Sequence, residues 1–229
     1  MRRNDFDTGY KEQIIKNINK VRNDIDVPYM IEKIEKYCQK YDLPYMFVRN
    51  KILKDNIFAL QFAKDPSKQS FHQHCAAKFI SEITCVEDFK ELNASGPKAL
   101  FIEDGIVKTI KEISNKKETK SIDFRWYITT KTGKKITFYA AHKHTNDDGG
   151  SQDSQYTDLQ MFMKHGSQSK NKDTYFLAIG DGPYYQREKG GKTRIEIANE
   201  TYGTHHCIAL TSNDIELLLE EIIFSYEEI

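Results

Sequence analysis

The chain has 229 residues, of which 38% are apolar, 30% charged and 12% aromatic, a composition that excludes fibrous and wholly disordered classes. At this length folding buries roughly 70% of the surface an unfolded chain exposes, so a core needs no metal or disulfide to hold it. Lysine plus arginine and aspartate plus glutamate balance at 34 each, so no global field draws the chain to a polyanion or an anionic membrane; local patches must hold any such partner.

Cys38, Cys75, Cys85 and Cys207 are scattered without a CxxC pair, and no apolar run follows the first residues. These features read as reduced thiols in a cytoplasmic protein. No stretch approaches the ~18 apolar residues of a spanning helix, so no membrane association is expected.

Residues 1–66 carry helical periodicity. Ile14, Ile15, Ile18 and Val21 form one stripe, Ile31, Ile34 and Tyr37 with Cys38 another, and Pro28 and Pro44 punctuate them. This region is expected to be a helical layer that contacts DNA or a second subunit, ahead of a core over 67–229. Phe71, Cys75, Phe79 and Ile80 predict a helix ending near Ile83. Ala99–Ile102 and Ile106–Ile110 flank Glu103-Asp104-Gly105 as a hairpin.

Ile122, Phe124, Trp126 and Ile128 alternate with Asp123, Arg125 and Tyr127, which predicts a strand with the first set on one face. Ile136, Phe138 and Ala140 alternate in the next strand. Lys131-Thr132-Gly133 between them fits a three-residue loop closed by a left-handed glycine, which pairs Thr130 with Lys134 and sets Asp123 opposite Ala141, with Lys143 one pleat further on the same face. A two-residue loop would bring His142 beside Asp123 instead.

Ser151 is expected to cap a helix carrying Tyr156, Leu159, Phe162 and Met163, closed by Gly166. Residues 174–180 form a continuous apolar run, expected of a parallel strand buried on both faces. Arg194–Ala198 and His206–Leu210 are read as strands, followed by a helix capped by Thr211 or Ser212. The histidine pairs match no zinc spacing, and no zinc site is expected. The fold class is α/β, with a mixed sheet that combines an antiparallel hairpin and a parallel crossover strand.

An acid and a lysine on one face of a hairpin suit metal-assisted phosphodiester hydrolysis, in which the carboxylate holds Mg²⁺ and the ammonium supports the attacking water. Asp123 and Lys143 fit these roles. With the element order, three segments resemble the PD-(D/E)XK nucleases, and type II restriction endonucleases in particular: Ser121-Ile-Asp123, Tyr139-Ala-Ala-His-Lys143, and Gly149-Gly-Ser-Gln-Asp-Ser-Gln-Tyr156 followed by Phe176–Tyr185. The resemblance covers roughly residues 70 to 185. It implies a homodimeric, Mg²⁺-dependent enzyme that cuts double-stranded DNA at a specific sequence and leaves 5′-phosphate and 3′-hydroxyl ends.

The family usually carries Asp or Glu two residues before the lysine, where this chain has Ala141. His142, Asp153 and Glu82 are the candidates for the missing ligand. Asp153, in the first turn of its helix, would complete the site with Asp123. Amides at Ser151 and Gln152 could meet a phosphate, and Gln152 and Gln155 could read adenine edges. The segment from Tyr184 to Arg194 reads as a mobile basic loop, with Tyr184, Tyr185, Gln186, Arg187, Lys189, Lys192 and Arg194 as DNA contacts. Two alternatives stand beside this reading: a nuclease-like module that binds without cutting, and a repair nuclease that recognises DNA structure.

Overall fold

The computed structural model describes residues 6–66, 70–115, 118–146 and 150–225, with the side chains of 150–152 left out, and the chain divides into two units. The first runs to His72 and contains α1 (Phe6–Asn23), α2 (Pro28–Tyr41), α3 (Tyr45–Lys54) and α4 (Asn56–Leu60). Pro28 opens α2, where its missing amide costs nothing. Asp55 caps α4 by accepting from the amides of Ile57 and Phe58. Ile18, Val21, Met30, Ile34, Val48, Ile52 and Phe62 form this unit's own core.

The second unit begins at Gln73, inside α5 (Phe71–Ser81). There follow β1 (Glu87–Glu91), β2 (Leu100–Glu103), β3 (Ile106–Thr109), β4 (Phe124–Thr129), β5 (Lys135–His144), α6 (Gly150–Gly166), β6 (Thr174–Asp181), α7 (Pro183–Gln186), β7 (Glu188–Lys189), β8 (Lys192–Thr193), α8 (Arg194–Tyr202), β9 (Cys207–Leu210) and α9 (Ile215–Ser225). A five-stranded mixed sheet has the order β1-β4-β5-β6-β9. Its first two pairings are antiparallel, and β5, β6 and β9 run parallel, with α6 as the crossover between β5 and β6.

The three-residue loop sets the central register. Thr130 donates to the carbonyl of Lys134 at 2.9 Å, Gly133 has φ +79°, and Phe124 faces Ala140. On one face Trp126 stacks on Phe138, and Phe138 on Tyr175, each at 5.3 Å between ring centroids. On the other, Tyr139, Ala141, Phe176 and Ala178 pack with Leu159, Phe162 and Met163 of α6 and Ala198 of α8. β6 is buried along its whole length.

Several sequence expectations need correction. Arg194–Ala198 is helix α8, not a strand: the Thr193 hydroxyl accepts from the Glu196 amide and the Glu196 carboxylate accepts from the Thr193 amide, a reciprocal cap encoded by Thr-x-x-Glu. Ser151 lies inside α6, which starts at Gly150, so it is not the residue before the helix. Ile122 packs with Ala141 in the α6-side core, while Phe124 sits with Phe89 and His142, so the alternation breaks between them. The basic segment is not an open loop, since Gly190 and Gly191, at φ +67° and +81°, turn β7 tightly into β8. Edge strand β1 has no counterpart in the sequence reading, because its residues are polar and only Phe89 is half-buried.

Candidate active site

The alternation breaks at Asp123. Its amide donates to the carbonyl of Ala140 at 2.8 Å, although Ala140 already faces Phe124 in the ladder, and its own carbonyl accepts from Leu92 at 2.8 Å. This offset turns the carboxylate inward, where Oδ2 accepts from the backbone amide of His142 at 2.8 Å. Among the described residues, Oδ1 receives no hydrogen bond. The residue is 6% exposed.

Burial pushes the Asp123 carboxyl above its ordinary range, because the charged form loses its water. The charge of Lys143 is the strongest effect in the opposite direction, followed by the His142 amide and ring, and the charge of Glu91 adds to the upward push. Lys143 acts on Asp123 through its charge and makes no hydrogen bond to the carboxylate. The acid and the amine therefore share an electrostatic environment.

A buried polar chain fixes the end of β5. The Nε2 atom of His142 lies 3.0 Å from Asp181 Oδ2, Asp181 Oδ1 accepts from the Ser212 amide at 2.9 Å, and the Asp181 carbonyl accepts from the Thr145 amide at 2.9 Å. The residues after Asp181 continue this framework. Gly182 has φ +95°, and a Cβ there would fall 2.4 Å from the Thr145 carbonyl oxygen, so only glycine fits. Pro183 then opens α7, which buries Tyr184 and Tyr185 completely.

Those two tyrosines were expected to touch DNA, and their burial removes them from that role. Tyr184 donates to Asp153 Oδ1 at 2.5 Å, and burial with this bond pushes its hydroxyl up to about 12. Arg194 is tied to the same ring: Nη1 donates to the Tyr184 carbonyl at 2.9 Å, and the guanidinium lies 3.7 Å from the ring centroid. Gln155 accepts from the Thr145 hydroxyl at 3.0 Å. The Gly-Ser-Gln-Asp and Asp-Gly-Pro-Tyr-Tyr segments thus clamp α6 to the β5 and β6 ends.

The other expected residues divide. Gln186, Arg187 and Lys189 are exposed, and Lys192 pairs with Glu200. Glu82 is exposed just beyond α5. His142 engages Asp181 through its ring and Asp123 through its amide, so it positions the acid and is not free to ligate beside it. Asp153 is held by Tyr184. Gly149 lies outside the described residues, as do the side chains of Ser151 and Gln152. Among the described residues no group of three or more His, Cys, Asp or Glu could hold a metal ion, and no helix is long and apolar enough to cross a membrane.

The sequence reading missed Glu91. It faces Phe124 across β1 and β4, next to Asp123, and its carboxylate lies 2.9 Å from Nδ1 of His74 on α5. No motif marks it. No family model matches the chain, and neither curated proteins nor solved structures provide a match.

Proposed function

We propose that this chain is a Mg²⁺-dependent endonuclease of the type II restriction class, hydrolysing phosphodiester bonds in double-stranded DNA as a homodimer. One observation carries the reading: a buried carboxylate directly before β4, held through one oxygen by the His142 amide, feels the charge of a lysine on β5, at the end of a hairpin that feeds a parallel crossover. The strand order and the antiparallel placement of β4 agree with the core that the sequence segments resemble.

The donor set suits magnesium and not zinc. Mg²⁺ takes one or two carboxylates and fills its octahedron with water and substrate phosphates, whereas zinc sites take three or four protein ligands, mostly His and Cys. Asp123, with its unbonded Oδ1, would hold the ion, which when bound supplies Lewis acidity at the scissile phosphate. Lys143 would orient the attacking water by donating to it and offset the charge that grows on the phosphoryl oxygens. His142 and Asp181 fix the strand end from which the amine projects. Arg187 and Lys189, exposed beside the β7–β8 turn, suit backbone phosphates. In the helical unit a groove of about 790 Å³ lined by Arg22, Phe47, Lys51, Lys54 and Ile57 suits DNA or a second subunit.

Plasmid cleavage with Mg²⁺ is the test, with discrete fragments bearing 5′-phosphates as the expected products. Lys143→Met and Asp123→Asn should each slow cutting by about 10²-fold or more. A second reading, a module that binds DNA without cutting, is favoured by Ala141, which is 3% exposed, packs into the core and offers no ligand. Protection of a DNA site without cleavage in Mg²⁺ or Mn²⁺ would select it.

A further inference from the structure

The helical unit carries a basic groove with an apolar floor, and the last helix of the second unit carries an acidic stripe with apolar ends. We propose that the two fit each other between copies of this chain: α9 of one copy docks in the groove of its partner, and the reciprocal contact closes the dimer. This rests on the homodimer of the reading above and names the surfaces that form it.

Arg22 of α1, Phe47, Lys51 and Lys54 of α3 and Ile57 of α4 line the groove. Two bonds fix the Arg22 guanidinium at its wall, to the Ile52 carbonyl at 3.1 Å and to Asn56 at 2.7 Å, and neither partner is an acid, so its charge is not neutralised. Lys51 and Lys54 form no ion pair among the described residues. Asp55, the acid in the lining, is turned to the amides of Ile57 and Phe58 at the start of α4. The floor is apolar and open to water: Ile57 is 76% exposed, and Phe47 and Leu53 are exposed beside it.

The complement lies on α9. Leu217, Glu220, Glu221 and Phe224 stand at i, i+3, i+4 and i+7, so they share one helix face, while Ile215, Leu219 and Ile222 are buried on the other. All four are exposed, Phe224 at 57%, and the two glutamates form no ion pair among the described residues. Lys131 lies 4.2 Å from the Phe224 ring centroid, so this end of the stripe accepts an ammonium group. DNA would satisfy only half of the groove, because phosphates pair with its cations and leave the apolar floor without a partner, and they repel α9. A second copy satisfies both surfaces: Leu217 and Phe224 cover apolar residues, and Glu220 and Glu221 meet Lys51 and Lys54.

Analytical ultracentrifugation of the full chain tests the interface by charge reversal. Lys51→Glu with Lys54→Glu, and separately Glu220→Lys with Glu221→Lys, should each weaken the dimer by about 10²-fold or more, with the circular dichroism of the parent. An equimolar mixture of the two variants should recover the dimer, because both of its contacts then join opposite charges. A mixture that stays monomeric overturns the interface. So does a parent chain that sediments as a monomer, and plasmid cleavage by that monomer leaves the hydrolytic part of the reading standing. Groove variants that remain dimeric and lose DNA affinity also overturn it and assign the groove to DNA. A dimer that recovers in the mixture while plasmid DNA stays intact supports the interface, and the nuclease reading falls alone.

Discussion

The His142 imidazole and the Asp181 carboxylate meet 3.0 Å apart in the interior, with side chains only 2% and 3% exposed. Asp181 also takes the Ser212 amide, so one carboxylate ties β5, β6 and the start of the C-terminal helical segment together. Asp181→Ala strands two donors at once and should cost about 3 kcal/mol, read as a lower urea midpoint with an unchanged slope. A loss below 0.5 kcal/mol would show that the network does not hold the strand ends.

Asp123 should make the fold weaker as pH rises. Its folded carboxyl holds its proton above the ordinary value of 3.8, so from that pH upward the unfolded chain ionises first and gains on the folded one. The loss is complete once pH passes the folded value. Asp123→Asn lacks this titration and should be more stable than the parent at neutral pH, with the gap closing toward pH 4. Urea unfolding across that range measures it; a parallel pH dependence in both proteins refutes it.

The hairpin and its register could be read from residues 121–143, because alternation and a left-handed glycine are local signals and Gly133 fixes the pairing. α8 could have been read as well, since Thr193 and Glu196 stand at capping-box spacing, but the β-branched Ile195 and Ile197 suggested a strand. Edge strand β1 could not: Glu87, Asp88, Lys90 and Glu91 carry no apolar alternation, and their pairing is tertiary. The aromatic pair after Gly182 looked like a recognition surface, because sequence shows ring chemistry and not burial. The offset of Asp123 onto Ala140 was not legible, because alternation predicts Ala141 as its partner, and the partnership of Glu91 with His74 joins a helix to a strand and leaves no spacing rule to find.

Gly182→Ala should be severe. The added methyl group meets the Thr145 carbonyl, and the backbone at φ +95° resists a side chain, so a cost of about 3 kcal/mol is expected. Thermal unfolding measures it, with Gly190→Ala as the control, where φ is also positive but open space surrounds the new Cβ. Equal losses at both positions would assign the effect to backbone strain alone.

Arg187 and Lys189 should act on DNA through charge. Replacing both with alanine should lower the slope of log affinity against log salt by about 2, with loss across all sequences alike. Tyr184→Phe should leave DNA affinity unchanged and lower stability instead, because its hydroxyl serves Asp153. Fluorescence anisotropy at three salt concentrations distinguishes the two.

Among the described residues the sheet ends on one side at β1, with no strand paired to its outer edge. Asp88 has φ +46°, the pairing with β4 slips between Glu87 and Lys90, and Arg125 and Lys90 both reach the Asp88 carboxylate. A ribbon so kinked and charged offers a poor template for an incoming chain, which disfavours edge-to-edge pairing at that border.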